Sequence, residues 1–346
     1  MQTITDVGGW PTLLGRLVDG RDLTADEAGV ALTAILAGDA TGAQTAGFIV
    51  ALRQKGETVD ELAGLVGAML DAAAPLDLPP GTIDIVGTGG SPRRRTRALN
   101  VSTMSSIVAA SAGATVCKHG NVKASSTSGS FDLLTELGVN FDLPPERVGE
   151  IVREVGVGFC FARAFHPAMR HAGPVRAELG IPTVFNVLGP LSHPGRVRRQ
   201  VLGVGDPRLL DLVAGVLATR GAEHALVVHG ADHLDELSLC GPTFVREVRD
   251  GEIVGSYEVD PAAFGLTVMA EDDMPGGTPG ENAAIARSVF AGDQGPARDI
   301  VTLNSGAGLF VAGIVDSLAD GVDAARAAID AGSAATTLER LVTVSA

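Results

Sequence analysis

The sequence predicts an α/β protein: a small all-helical domain, then a larger domain with a mainly parallel central sheet flanked by helices. Three observations carry this. Residues 10–73 place apolar side chains at helical spacing and contain no strand-like run. Residues 82–130 read as two successive strand–loop–helix units. Residues 201–228 read strand, helix, strand, a βαβ unit whose crossover makes its strands parallel.

In the helical part, Leu23-Thr24-Ala25-Asp26-Glu27 has the form of a capping box, with Thr24 as N-cap and Glu27 three residues on. Apolar residues then recur at helical spacing through Ile35, Phe48, Leu52 and Leu65. Thr41-Gly42-Ala43-Gln44 and Gly56-Glu57-Thr58-Val59-Asp60-Glu61 mark further starts, so about four helices are expected. Pro75, Pro79 and Pro80 make residues 75–80 the linker into the sheet domain.

The first strand, residues 83–86, is closed by Gly87-Thr88-Gly89-Gly90, a loop whose backbone can approach a ligand closely because it lacks Cβ atoms. Ser102 and Thr103 precede the apolar helical segment 107–112 in the manner of an N-cap. A second strand, 114–117, exits through Lys118-His119-Gly120-Asn121. The hydroxyl-rich Ser125-Ser126-Thr127-Ser128-Gly129-Ser130 then leads into a helix at 131–137. Two such units side by side aim helix N-terminal amides, hydroxyls and one ammonium at a single place, which suits a phosphorylated anion. The order GTGG, NVST, KHGN, SSTSGS fits neither a Walker loop nor a GxGxxG turn.

A helix over 144–155 follows, then a segment, 157–176, that contains His166-Pro167-Ala168-Met169-Arg170 and Pro174-Val175-Arg176. Taken alone, Arg176 reads as a surface salt-bridge partner or as an anion contact. The basic connection 196–199 reads as a solvated loop. The strand at 201–204, the helix at 207–219 and the strand at 225–228 come next, and Asp235 and Glu236 lie beyond that strand's exit. Adjacent carboxylates there suit Mg²⁺, which takes one or two carboxylates and completes its shell with water and substrate phosphates. Residues 244–259 alternate around Asp250-Gly251, a hairpin signal for an antiparallel addition. Glu281-Asn282-Ala283-Ala284, Asn304-Ser305-Gly306 and residues 321–338 mark the C-terminal helices.

Composition narrows the class. With 346 residues, 45 % hydrophobic and 19 % charged, the chain can bury a large core, and at 4 % aromatic that core must be aliphatic. Three cysteines without a CxxC pair fit buried free thiols in a reducing compartment. The opening residues lack a basic, apolar leader pattern and no apolar run reaches about 18 residues, so the reading is a soluble cytoplasmic protein without a membrane segment. A net charge of −15 argues against nucleic-acid and anionic-membrane partners. The local exception is Arg93, Arg94, Arg95 and Arg97.

Taken in order, GTGG, NVST, KHGN and SSTSGS resemble the anthranilate phosphoribosyltransferases, within the nucleoside-phosphorylase-like phosphoribosyltransferase family. The strings LTADEAGVALTAILAGDATGAQTAGFIVALRQKGETVDELAG, HPAMR and IPTVFNVLGPL, with the C-terminal helices, extend the resemblance over nearly the whole chain. It implies a helical domain (residues 1–75, joined by about 167–188) hinged to an α/β phosphoribosyl-binding domain (76–166 and 189–346), with the site in the cleft between them. The implied reaction is Mg²⁺-dependent transfer of phosphoribosyl from phosphoribosyl pyrophosphate to the amino group of anthranilate or a similar aromatic acid. This is a step of tryptophan biosynthesis that releases pyrophosphate, carried out by a homodimer. By motif, Gly87, Gly90, Ser91, Asn100, Ser102, Thr103, Lys118, Ser125, Ser126 and Ser130 are the implied contacts of the phosphoribosyl donor. Asn121, Arg176, His119 and His166 are those of the acceptor, and Ser102, Asp235 and Glu236 those of the metal. No residue is implied as an acid or base.

Three departures from the family pattern lie in or beside this site. GTGG is followed by Ser91-Pro92 and an arginine-rich insert, KHGN by Val122-Lys123, and a GDGLDE-type turn has become Ala231-Asp232-His233-Leu234-Asp235-Glu236. A solvated loop and a clamp over an anionic ligand both accommodate the arginines. A paralogue with another acceptor or donor stays open, as do nucleoside phosphorolysis and a non-catalytic anion or nucleic-acid binder. The FNVLGPL and HPAMR strings argue against phosphorolysis, and the acidity argues against nucleic acid.

Overall fold

The computed structural model describes residues 2–91, 97–122 and 127–346. Helices α1 (Gly9–Val18), α2 (Ala25–Ala37), α3 (Gly42–Lys55) and α4 (Val59–Asp71) form the N-terminal bundle. Thr24, Thr41 and Thr58 each cap a helix and each closes a capping box, with Glu27, Gln44 and Glu61. Glu61 does more than cap: it is fully buried, accepts the Leu23 N–H at 2.9 Å and pairs with Lys55 Nζ at 2.9 Å. Helices α2 and α4 approach so closely that a Cβ on Gly64 would lie 1.9 Å from the Ala25 carbonyl oxygen. Gly64→Ala is therefore expected to destabilise by about 1–3 kcal/mol despite alanine's better helix propensity, read as a lower thermal midpoint.

The α/β part opens with β1 (Ile83–Gly87), α5 (Val101–Ser111), β2 (Val116–Gly120), α6 (Ser130–Leu137), α7 (Pro145–Val155) and β3 (Val157–Phe161). Short helices α8 (Ala162–Phe165), α9 (Gly173–Leu179) and α10 (Phe185–Leu191) carry the chain past the bundle. It returns through β4 (Arg199–Gly203), α11 (Leu209–Thr219), β5 (His224–Gly230), β6 (Thr243–Arg249) and β7 (Glu252–Val259). It ends in α12 (Pro279–Phe290), α13 (Pro296–Ala312), α14 (Leu318–Asp330) and α15 (Ser333–Ser345). The sheet order is β3-β2-β1-β4-β5-β6-β7, with β1 to β5 parallel and β6 and β7 antiparallel. The expected hairpin turns at Asp250 and Gly251, both left-handed at φ 49° and 80°. The order runs outward from β1 in one direction and from β4 in the other, so the topological switch lies between β1 and β4.

Strand alternation splits the core. Ile83, Ile85, Val116, Val157, Val201 and Leu226 face a cluster shared with α5, α13 and α15. Val86, Leu202, Ala225 and Val227 face the other way, into a cluster shared with α11, α10 and the bundle. Val184, Phe185 and Leu188 thus belong to the same buried cluster as Leu62, Leu65 and Val66 of α4. Among the described residues, no helix is long and apolar enough to cross a membrane.

Three local expectations are corrected. Helix α5 begins at Val101 with Asn100 as N-cap, so Ser102 and Thr103 occupy its first turn rather than capping it. Strand β2 pairs with β3 along 116–120, which makes Lys118, His119 and Gly120 strand residues and not an exit loop. Backbone pairing outlasts the apolar run because both polar side chains are buried against neighbours. The 196–199 connection is not simply solvated: Arg196 pairs with Asp71, Arg198 with Glu223, and Arg199, half-buried, begins β4 and pairs with Glu223.

Candidate active site

The switch point is built from glycine. Gly87 at the end of β1 and Gly203 at the end of β4 are direct partners across the ladder. A Cβ on Gly203 would sit 1.7 Å from the Asp235 carbonyl oxygen, and one on Gly87 would sit 2.1 Å from Asp235 Oδ2. The pair forms a notch into which the Asp235 loop descends. The Gly89 N–H donates to Asp235 Oδ2 at 2.7 Å, tying the glycine loop after β1 to the acidic pair 146 residues away in sequence. Asp235 and Glu236 are both buried. Behind them, Asn304 of α13 clamps Leu237, accepting its N–H at 3.0 Å and donating to its carbonyl at 2.9 Å. Gly203 and Asn304 were not singled out as site residues from sequence. A glycine ending an apolar run opposite another strand-end glycine was the available signal.

His233 stands in this loop where the GDGLDE-type pattern has glycine, and it adopts φ 62°. A left-handed non-glycine residue costs about 1–2 kcal/mol, so the turn geometry is kept although its usual residue is not.

On the other side of the notch, Gly89 and Gly90 are left-handed at φ 70° and 91°. Ser91 Oγ and Thr103 Oγ1 are buried with no hydrogen-bond partner among the described residues. Asn100 caps α5 by position only; its side chain makes no cap hydrogen bond. The first-turn amides of an 11-residue helix therefore keep their capacity for an anion. Ser130, first residue of α6, lies beside the end of β2, its Oγ 3.2 Å from where a Gly120 Cβ would be. Lys118 is buried, with Nζ donating to the His119 carbonyl at 3.1 Å. The expected contacts Ser125 and Ser126 lie outside the described residues, as do Arg93, Arg94 and Arg95. Arg97 is exposed and donates to the carbonyls of Gly276 and Asp272.

The third group is aromatic and basic. His119 and His166 meet edge to face with ring centres 5.4 Å apart, and His193 lies 6.0 Å from His119. His119 Nε2 and His166 Nε2 are buried without partners among the described residues. Burial pushes the His119 pKa well below the ordinary value, with the neighbouring His166, His193 and Lys118 acting in the same direction. Burial likewise lowers His166 to about 4, against the opposing effect of its hydrogen bond to the Ser192 backbone. Both imidazoles are neutral at physiological pH. Arg176, on α9, is half-buried and stacks over the Phe185 ring at 4.9 Å; burial alone lowers its pKa. Asn121 is exposed, its Oδ1 turned back to accept the Val122 N–H.

Behind His119, Cys117, Cys160 and His193 bring ligand-type atoms within 4.8 Å of one another. The hydrogen bonds oppose a metal there. His193 Nδ1 accepts the Gly195 N–H at 3.0 Å, so the neutral ring carries its proton on Nε2, which lies 2.8 Å from the Cys117 carbonyl. A metal at Nε2 would need that proton removed and the carbonyl bond broken.

The helical bundle domain of the glycosyl transferase family matches residues 11–73, and that family's a/b domain matches residues 79–335. The chain is 48 % identical over 339 residues to an anthranilate phosphoribosyltransferase of an Arthrobacter species, covering 96 % of this chain and 95 % of the relative. It superposes on the crystal structure of the Thermus thermophilus anthranilate phosphoribosyltransferase with a TM-score of 0.90 at 44 % identity, over 96 % of this chain and 99 % of that one. The Saccharomyces cerevisiae enzyme in complex with PRPP and Mg gives 0.87 at 29 % identity over 97 % of both chains.

Proposed function

We propose, from the premise that this chain belongs to the anthranilate phosphoribosyltransferase family, that it transfers phosphoribosyl from phosphoribosyl pyrophosphate to the amino group of anthranilate. The observation that carries the reading is the Gly89 N–H to Asp235 hydrogen bond in the Gly87–Gly203 notch, which places an acidic pair against a phosphate-type loop at the switch of a parallel sheet.

In this reaction the C1–oxygen bond to pyrophosphate breaks, a C1–nitrogen bond forms, and the amine gives up one proton. A neutral aromatic amine attacks an oxocarbenium-like carbon without a strong base, so holding the two reactants in line and stabilising the departing charge supply most of the rate. The residues divide accordingly. Gly87, Gly90, Ser91, Asn100, Ser102, Thr103, Lys118, Ser125, Ser126 and Ser130 take the phosphoribosyl donor. Thr103 and Ser91 offer the buried hydroxyls already described. Arg176, stacked over Phe185, receives the acceptor carboxylate as a charge-assisted pair. Asn121 and the neutral His119 and His166 complete that wall.

Asp235 and Glu236 supply the hard oxygen set that Mg²⁺ prefers, and the notch fixes Asp235 in place, so these residues with Ser102 would hold it. Bound there, the ion would neutralise charge on the pyrophosphate. The reading includes a cytoplasmic homodimer and a cleft between residues 1–75 with about 167–188 and the remainder; α10 packing into the bundle core supports that grouping.

Pyrophosphate release from phosphoribosyl pyrophosphate and Mg²⁺, measured with and without anthranilate, tests the proposal. Release should depend on anthranilate. Arg176→Ala should raise the anthranilate KM about 10- to 150-fold, the equivalent of about 1.5–3 kcal/mol, and leave affinity for phosphoribosyl pyrophosphate unchanged. Release that ignores anthranilate would overturn the acceptor assignment, and no release would overturn the function.

A further inference from the structure

Asn282 is fully buried in the first turn of α12, and its side chain reaches residues 98–100 at the entry to α5. Its Nδ2 donates to the Ala98 carbonyl at 2.7 Å and to Asn100 Oδ1 at 2.9 Å. The first contact fixes which end of the amide is nitrogen, because a backbone carbonyl can only accept. Asn100 Oδ1 must then be the oxygen, and Ser128 Oγ donates to it as well, at 2.8 Å. Asn100 Nδ2 points the other way and gives one N–H to the Ser128 carbonyl at 3.3 Å. The same α12 approach grips Ala98 through the Gly277 N–H at 3.0 Å, immediately after the arginine insert.

Both lone-pair directions of Asn100 Oδ1 are thus spent inside the protein, whereas among the described residues one of its two Nδ2 hydrogens has no partner. This explains why Asn100 does not cap its own helix through its side chain. We infer that Asn282 is a positioning residue for the phosphoribosyl donor: it fixes the Asn100 carboxamide with an N–H turned to an oxygen-rich, anionic ligand. The inference rests on the function proposed above. A ligand presenting only acceptors, such as a ribosyl phosphate, is matched by that orientation and would be mismatched by the reverse one.

A double-mutant cycle on the full-length chain tests it, with phosphoribosyl pyrophosphate and Mg²⁺ binding read by calorimetry. Asn282→Ala should weaken binding about 10- to 100-fold in the wild-type background. In the Asn100→Ala background it should add less than about twofold, because the group it orients is gone. Asn282→Asp keeps the shape but turns an acceptor toward Asn100 Oδ1 and the Ala98 carbonyl, reversing the Asn100 amide. It should bind more weakly than Asn282→Ala, and it keeps the test open should the alanine variant fail to fold. Additive losses in the cycle, or equal binding by Asn282→Asp and wild type, would show a structural role and overturn the inference. Failure of the wild-type chain itself to bind would instead overturn the functional reading, and this inference with it.

Discussion

Gly203→Ala should abolish turnover while the sheet remains assembled. Gly203 has no left-handed φ, and alanine suits strand backbone at least as well as glycine does, so the substitution carries no conformational penalty of its own. The whole effect lies in space. The added Cβ would meet the Asp235 carbonyl oxygen at 1.7 Å and its carbon at 2.3 Å, distances no relaxed contact reaches. Strand β4 is hydrogen-bonded on one side to β1 and on the other to β5 and cannot retreat, so the loop carrying Asp235 and Glu236 must lift. Lifting it breaks the Gly89 N–H to Asp235 bond and moves both carboxylates away from the phosphate-type loop. A displacement of about 1 Å at a positioned group costs on the order of 100-fold in rate, and losing the acidic pair costs more. Gly87→Ala should act in the same direction through Asp235 Oδ2, less severely because a carboxylate can swing where a backbone cannot. Gly15→Ala, in helix α1 with nothing within 4 Å of its Cβ, is the neutral control. The measurements are kcat/KM, the Mg²⁺ dependence and circular dichroism. Near-wild-type kcat/KM in Gly203→Ala would mean that the notch does not position the acidic pair.

That notch also marks the boundary of what could be read from residues in line. The capping box at Thr24, the helix starts near Thr41 and Thr58, the Asp250-Gly251 hairpin and the strand after the 75–80 linker were legible because each depends on neighbours within a few positions. The mainly parallel sheet was legible from the same local units, but its strand order and the switch between β1 and β4 were not. Contacts across the chain were not legible. Nothing near Gly203 announces that a loop 32 residues later will rest on it, and nothing near Asn282 announces that its amide will orient Asn100, 182 positions earlier. Lys118 and His119 were misplaced for a related reason: a polar pair after an apolar run looks like a loop until pairing with β3 shows that the strand continues. The His233 position was identified as a departure in sequence, and only its φ of 62° shows that it keeps the glycine's backbone.

Acidification should destabilise the protein between pH 6.5 and about 4, with the loss beginning well above the range where ordinary carboxylates take up protons. His166 titrates near 6.5 in an unfolded chain and near 4 in the fold, because burial penalises the imidazolium. His119 is lowered in the same sense. Between those values the unfolded chain binds more protons than the folded one, so stability falls as pH falls. For His166 the accumulated loss by pH 4 is about 3 kcal/mol. Asp84 works against it: burial raises its carboxyl, so the folded state takes up that proton more readily. Comparing wild type with His166→Gln by denaturant unfolding from pH 7.5 to 4 separates the two, because only the histidine's share disappears. The variant should gain on wild type progressively below pH 6.5. Parallel curves would mean that His166 titrates normally and that the site is wetter than its burial implies. The same shift sets an expectation for turnover. With both imidazoles neutral well below pH 6.5, the anthranilate KM should show no inflection near that pH. On the proposed reading, the permanent charge offered to the acceptor carboxylate is that of Arg176, whose cation is insensitive to pH over this whole range.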